Sequence, residues 1–411
     1  MFYLGAFAEF LGGQEIDEIR FLGDALRGSL VQHINSTPIG GGVAEILARL
    51  EPMMNEVGLN AQWTVMEAGV EFFEVTKALH NALHGEPVSL TSGMKSLFFA
   101  GAQKNFDKVT SDADFIILHD PQPLPFIQGR SSHRGKWVWR CHIDLTKANR
   151  GAWNFLRPLV QKADGAIFHM PEYAKDLSIP QYIIPPAIDP FSEKNREMSK
   201  DEVEKTLSDL GISSLKPIIL QVSRFDGLKD PLGVIRAYKI VKRTFDCQLI
   251  LAGGGAADDP EGQSYYQEVC RKAEGIPDLH LLNLPPNSDV EINALQRAAT
   301  VVVQKSLREG FGLTVTEAMW KGKAVVGGNV GGIRRQIMEG ISGFLVESPE
   351  GAAFRIRLLL AHPDLRQKLG EMAREFVKQN FLMAHYLKNW LLALQGLKHH
   401  EKAVVHFDAQ T

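Results

Sequence analysis

The sequence predicts an α/β protein of two Rossmann-like domains that face a central cleft, followed by a C-terminal helical tail. Three observations carry that expectation. Short apolar or β-branched runs, among them residues 115–118, 217–222 and 300–304, alternate with longer helical stretches, the rhythm of parallel strands linked by crossover helices. The rhythm stops at Pro185-Pro186-Ala187-Ile188-Asp189-Pro190 and the charged segment 192–205, then restarts at residue 217. From Gly351 onward the pattern is all helical, broken at Pro363. The domains are accordingly placed at residues 1–200 and 201–411, and the terminal helices can pack back on the first domain.

A chain of 411 residues with 45% hydrophobic composition can bury two such cores. Lys and Arg total 45 against 48 Asp and Glu, so no basic excess draws nucleic acid or a membrane surface. Cys141, Cys247 and Cys270 are odd in number, lack metal-ligand spacing, and read as reduced thiols of a cytoplasmic protein. No uninterrupted apolar run reaches the roughly 18 residues of a membrane span. The apolar opening from Met1 to Ala8 has no positive flank and meets Glu9 early. It is expected to pack on the body or on a partner subunit, which leaves a homodimer open.

In chain order, a helical stretch near 15–26 precedes a first strand at 30–35, the loop Ser36 to Gly42, and a helix from Val43. This is the strand, glycine loop, helix order of a dinucleotide site, but Glu45 stands where the third fingerprint glycine belongs. Glu67, ending the strand at 62–66, is the remaining support for a nicotinamide enzyme. His80 and His84 share a helix face, yet residue 81 is Asn where a zinc protease needs Glu, so they read as packing or surface groups. Asp112-Ala113-Asp114 precedes its strand, whereas ligands gather beyond the carboxyl ends, so it reads as a turn and strand start. The carboxyl ends that follow carry His119-Asp120, then His142 and Asp144, then His169. Polar groups delivered repeatedly to one sheet edge indicate a site.

The second half repeats the rhythm. The strand at 217–222 leads into Arg224 and Lys229, that at 248–252 into Gly253-Gly254-Gly255, and that at 280–284 into a proline-rich turn after Leu284. The strand at 300–304 leads into Glu309-Gly310-Phe311-Gly312-Leu313-Thr314-Val315-Thr316-Glu317. Glycines cost roughly 1 kcal/mol each inside a helix, so the helix starts at Leu313 or Thr314 and the glycines form its entry turn. Free N–H groups at Gly312, Leu313 and Thr314 then favour an anion, with Arg224 and Lys229 as its counter-charges. Glu309 and Glu317 could divide acid and base work as in a glycosidase, but both flank one anion-binding helix start, which suits gripping hydroxyls better.

This constellation resembles glycosyltransferase family 4, with the GT-B fold, over nearly the whole chain. The signatures are Glu309-x7-Glu317, Arg224 with Lys229, Gly40-Gly41-Gly42, Gly331-Gly332, and Pro185 to Asp189. Within it, residues 33–37, 40–45, 119–123, 139–144 and 308–323 are similar to the trehalose-forming glycosyltransferring synthases of archaea and bacteria. One departure is Gly331-Gly332-Ile333-Arg334-Arg335, where the general family carries a Pro-Glu pair after the glycines.

The resemblance implies a retaining transfer of glucose from a nucleoside diphosphate glucose to free glucose, giving α,α-trehalose. By the same resemblance, Arg224 and Lys229 neutralise the diphosphate, and Gly41 and Gly42 close over it. Gly310, Phe311 and the N–H groups of Gly312, Leu313 and Thr314 line it. Glu309 holds the glucose hydroxyls, Glu317 the ribose, and His142 lies near the 6-hydroxyl, with Arg224, Lys229, Glu309 and His142 as the catalytic set. Backbone around Gly254 and Leu284 meets the base, which leaves ADP, UDP and GDP open. Glu45, Asp120 and Asp144 are placed at the acceptor by position. No cofactor and no metal is expected for the transfer step. A trehalose phosphorylase, another acceptor, a silent sugar-nucleotide binder and an oxidoreductase are the competing readings.

Overall fold

The computed structural model describes residues 3–38, 42–254, 260–399 and 404–406. The chain divides into two compact units, residues 1–187 with 383–411, and residues 188–382. The first unit holds β1 (Leu30–Asn35), β2 (Asn60–Val65), β3 (Phe115–His119), β4 (Lys136–Arg140), β5 (Gly165–Phe168) and β6 (Gln181–Ile183). The second holds β7 (Ile218–Val222), β8 (Gln248–Gly253), β9 (Leu279–Asn283), β10 (Val301–Gln304), β11 (Val325–Gly328) and β12 (Gly343–Val346). A last strand, β13 (Val404–His406), pairs with β6 and completes the first sheet.

Both sheets are wholly parallel, ordered β13-β6-β5-β4-β3-β1-β2 and β12-β11-β10-β7-β8-β9. Parallel strands need crossover helices, which cover both faces, so β3, β5, β7 and β10 are buried at every residue. The chain reversal at β1 in one sheet and β7 in the other is the switch point at which open α/β sheets take ligands.

The N-terminal segment folds onto its own unit. Helix Tyr3–Ala6 buries Leu4, Phe7 is buried at the cap of helix Ala8–Leu11, and the Leu4 N–H donates to the Glu56 carboxylate at 3.0 Å. A helix follows at Gly13–Asp24.

The chain passes to the second unit between Ala187 and Ile188 and leaves it between Leu382 and Met383. Residues 188–199 belong to the second unit because its side chains hold them there. Asn293 Nδ2 donates to the carbonyls of Glu193 and Arg196 at 2.8 and 2.9 Å. At the other end, helices Pro349–Ala361 and Pro363–Asn380 stay with the second unit, while Met383–Lys398 packs on the first, burying Trp390, Leu391 and Leu394. The tail is therefore helical to Lys398, but the expectation of helix to the end is corrected by β13. Its Val404-Val405-His406 is too short to show a period and finds its place only beside β6.

Candidate active site

In the second unit the site is built on the β10 loop. Gly312 caps the Leu313–Trp320 helix with φ +90°, a conformation that side chains rarely adopt, and so turns the chain into the helix within one residue. Among the described residues no hydrogen bond engages the N–H groups of Gly312, Leu313 or Thr314. The first turn of a helix leaves such donors without internal partners, and its partial positive charge attracts an anion.

Glu309 lies beside that turn, 8% exposed, with Oε2 accepting from Lys229 Nζ at 2.6 Å and from Ser306 Oγ at 3.2 Å. Lys229 is presented by a short turn, Gly227–Lys229, that Asp226 organises by accepting the N–H groups of Leu228 and Lys229. The structure thus brings Lys229 and Glu309 together. Arg224 stands apart from that pair, its side chain 60% exposed and 3.3 Å from Asp226.

Glu317 is almost fully buried, and its carboxylate is thinly partnered. Gln296 Nε2 lies 3.4 Å from Oε2 and Lys194 Nζ 3.9 Å from Oε1. A carboxylate accepts about four hydrogen bonds, so this one keeps capacity for incoming hydroxyls. Behind it Lys321 donates to Asn195 Oδ1, Gln296 Oε1 and the Glu317 carbonyl at 2.9, 2.8 and 3.3 Å. Burial pushes the Lys321 ammonium down to about 7, against the opposing pull of Glu317.

Two further groups hold the loop. Gln336 Nε2 donates to the Phe311 carbonyl at 2.6 Å while its Oε1 accepts from Thr316 Oγ1 at 2.6 Å. Gly332 lies so close that a Cβ there would sit 2.4 Å from Phe311 Cα. The turn where the Pro-Glu pair is missing is therefore tied to the motif loop by Gln336 instead. A buried ion pair between Lys305 and Asp230 fixes the root of β10 to the start of the Pro231–Lys242 helix, which Asp230 caps through the Gly233 N–H. Gly254 packs on the other flank, where a Cβ would meet the Leu284 carbonyl at 2.4 Å. Gly310 is partly exposed and Phe311 buried.

In the first unit the carboxyl edge of the sheet carries His142 and Asp120. The His142 N–H donates to Asp120 Oδ1 at 2.7 Å, and Asp120 adopts φ +65° with its own N–H on the Arg140 carbonyl at 2.8 Å. Burial raises the Asp120 carboxyl to about 7, opposed by the His142 N–H and by Arg140. Asp144 is buried and its Oδ1 accepts from the Thr146 N–H and Oγ1 at 2.9 and 2.6 Å. Glu45 is half-buried in the first turn of the Gly42–Glu56 helix. Asp120 and Asp144, which follow β3 and β4, are thus each engaged by neighbours of their own, while Glu45 comes from the helix after β1. Gly42 opens its helix exposed, and Gly41 lies outside the described residues.

Both His142 ring nitrogens are occupied, Nε2 by His119 Nδ1 at 2.9 Å and Nδ1 by His169 Nε2 at 3.1 Å. His119 Nε2 in turn meets His33 Nδ1 at 3.1 Å. Sequence reasoning assigned His142 to a sugar by resemblance, left His119 and His169 as single strand-end residues and His33 as one position within the first strand, because positions 33, 119, 142 and 169 meet only through the β1-β3-β4-β5 register. Ser306, Gln336, Gln296 and Lys321 were missed too. Among the described residues no group of three or more His, Cys, Asp or Glu is placed to hold a metal ion, and no helix is long and apolar enough to cross a membrane. His80 and His84 pack edge to face at 4.8 Å.

Residues 33–175 match the protein family described as Trehalose synthase, N-terminal domain, and residues 202–376 match Glycosyl transferases group 1. Trehalose synthase of Thermococcus litoralis is 45% identical over 94% of this chain and 95% of its own. That of Rubrobacter xylanophilus is 40% identical over 90% and 91%. Among solved structures, sucrose-phosphate synthase from Thermosynechococcus elongatus superposes with TM-score 0.71 at 18% identity, over 91% of this chain and all of that one. That likeness shows the fold, which is GT-B.

Proposed function

The chain belongs to the trehalose synthase family of glycosyltransferases, and on that premise we propose that it moves glucose from a nucleoside diphosphate glucose to free glucose, with retention, to give α,α-trehalose. One observation carries the choice of a nucleotide donor: the buried Glu317 carboxylate, whose unfilled acceptor capacity lies one helical turn beyond the N–H groups of Leu313 and Thr314 that no described residue engages. A diphosphate at the helix start puts a ribose within reach of that carboxylate. A phosphorylase, which binds only inorganic phosphate there, gives it no purpose.

In this reading the leaving diphosphate gains negative charge as the bond from its oxygen to the glucose anomeric carbon breaks. The helix-start N–H groups and Lys229 receive that charge, with Arg224 reaching in from solvent. Glu309, held by Lys229 and Ser306, takes sugar hydroxyls. The anomeric hydroxyl of the acceptor glucose attacks the same face, forming the new bond as its proton passes to the departing phosphate oxygen. Retention then needs no carboxylate nucleophile. Preorganised donors at such a charge are worth about 2.7 to 4 kcal/mol each. The diphosphate is served without a metal, Asp120 and Asp144 lie on the acceptor side, and the reaction takes place in the cytoplasm.

Incubation with ADP-, UDP- or GDP-glucose and free glucose, followed by product identification, tests this. A non-reducing disaccharide released together with the nucleoside diphosphate is the expected result. Disaccharide formed only from glucose 1-phosphate would replace it with the phosphorylase reading.

A further inference from the structure

We propose that His33, His119, His142 and His169 form one hydrogen-bonded chain of imidazoles that share a single tautomer, so that His119 and His169 are positioning residues that fix the protonation and orientation of His142. The geometry is head to tail: Nδ1 of His33 faces Nε2 of His119, Nδ1 of His119 faces Nε2 of His142, and Nδ1 of His142 faces Nε2 of His169, at 3.1, 2.9 and 3.1 Å. A neutral imidazole has one N–H and one lone pair. Every link joins the same two kinds of nitrogen, so the tautomer of one ring dictates the next. Nδ1–H throughout satisfies all three contacts, and so does Nε2–H throughout. Any mixture sets two N–H groups or two lone pairs against each other, which leaves buried polar atoms unpaired.

The neutral state that this coupling needs follows from the surroundings. Burial holds His33 neutral, and burial with the nearby charges, Arg140 among them, does the same for His119 and His142. Beyond its links, the His33 ring packs edge to face on Trp390 at 5.4 Å, with Nε2 buried and lacking a hydrogen-bond partner. In either shared tautomer His142 spends its one proton and its one lone pair on its two histidine neighbours. It therefore acts on a bound sugar through the fixed position of its ring edge and backbone, and not as an acid or base.

The chain itself needs no assumption about the reaction, and only the kinetic arm rests on the glucose-transfer reading. Full-length protein labelled with 15N-histidine is measured by long-range 15N–1H correlation at pH 7.5. The expected spectrum shows His33, His119, His142 and His169 in one common tautomer, and His119→Phe uncouples His33 from His142. In kinetics, His169→Phe lowers kcat by about tenfold or more with the donor KM little changed. His169→Gln, whose amide can donate to His142 Nδ1 or accept from it, recovers most of the loss. Different tautomers at His119 and His142 in the unmodified protein overturn the proposal. So does a His169→Phe enzyme with unchanged kcat. If no disaccharide forms from any donor, the glucose-transfer reading falls and the spectrum still decides the chain. If a Phe variant does not fold, the spectrum of the unmodified protein is the deciding measurement.

Discussion

The two candidate sites, one in each unit, are built with opposite chemistry. The β10 edge of the second unit is ionic, with Lys229 on Glu309 and Lys305 on Asp230. The β3–β4 edge of the first unit is dense in titratable groups, yet burial drives them toward neutrality: His33 falls to about 3, His119 and His142 fall well below the usual imidazole value, and Asp120 rises to about 7. A leaving diphosphate needs charge opposite it, whereas an uncharged sugar needs shape and fixed hydrogen-bond partners. The contrast between the two edges is the one that the proposed donor and acceptor would require.

Removing charge from the ionic half should do the most damage. Lys229→Ala deletes a cation and also strips Glu309 of its shortest bond, so kcat should fall by roughly a hundredfold or more. Arg224→Ala should cost clearly less, since that side chain is 60% exposed and solvent already screens it. Steady-state kinetics on both variants check the order. Equal losses would mean that Arg224 leaves its Asp226 contact and enters the site fully when donor binds.

The neutral half should show itself in the pH dependence of stability. His33 has a folded pKa of about 3 against an unfolded value near 6.5, so the unfolded chain binds more protons between those limits. Its contribution is complete above about pH 6.5 and is lost as pH falls toward 3. His119 and His142 act in the same direction. Asp120 opposes them, because a carboxyl raised to about 7 favours the folded state at low pH and loses that advantage as pH rises through 7. Three groups against one give net acid destabilisation below about pH 6. Urea denaturation followed from pH 7.5 to 5 should show it, and His33→Phe should flatten the slope.

How much of this was legible differs between the halves for the same physical reason. Glu309, Gly312 and Glu317 lie within one turn and helix, so their spacing alone announced the glycine turn and the helix start at Leu313, and Lys229 stood in the loop after an obvious strand. The alternation of apolar runs likewise located β1, β3, β7 and β10 at or within a residue of their true ends. The histidine chain offered no such local pattern. Each member lies on or just after a different strand, and only the order β5-β4-β3-β1 makes them neighbours. Lys321 and Gln336 were hidden otherwise: a lysine in a charged Trp-Lys-Gly-Lys run reads as solvated, and nothing about Gln336 marks it as buried against the Phe311 carbonyl.

Gln336 permits a subtler test of the ionic half. It holds the motif loop through two bonds of 2.6 Å, one donated by its Nε2 to the Phe311 carbonyl and one accepted by its Oε1 from Thr316. Gln336→Ala removes both of these buried bonds, at about 1–3 kcal/mol of stability for each lost partner. The donor KM should rise more than kcat falls, because the loop that presents the helix start loosens while Lys229 and Glu309 stay paired. Thermal unfolding with and without nucleoside diphosphate reads the stability and binding losses, and steady-state kinetics the split.

Adding a chelator should change nothing. If Lys229, Arg224 and the helix start carry the diphosphate, EDTA leaves turnover where it was. The one sequence pattern that points the other way, Asp112-Ala113-Asp114, precedes β3 at its amino end, and Asp114 Oδ2 accepts the Leu30 N–H at 2.8 Å. Both Asp114 and Leu30 therefore belong to the edge of the sheet opposite His119 and Asp120, where Asp114 serves the strand ends. A loss of activity in EDTA that Mg2+ or Mn2+ restores would mean that the ionic half is incomplete as a diphosphate clamp. The search for the missing charge would then turn to the carboxylates already at the carboxyl edges, Asp120 and Asp144 first.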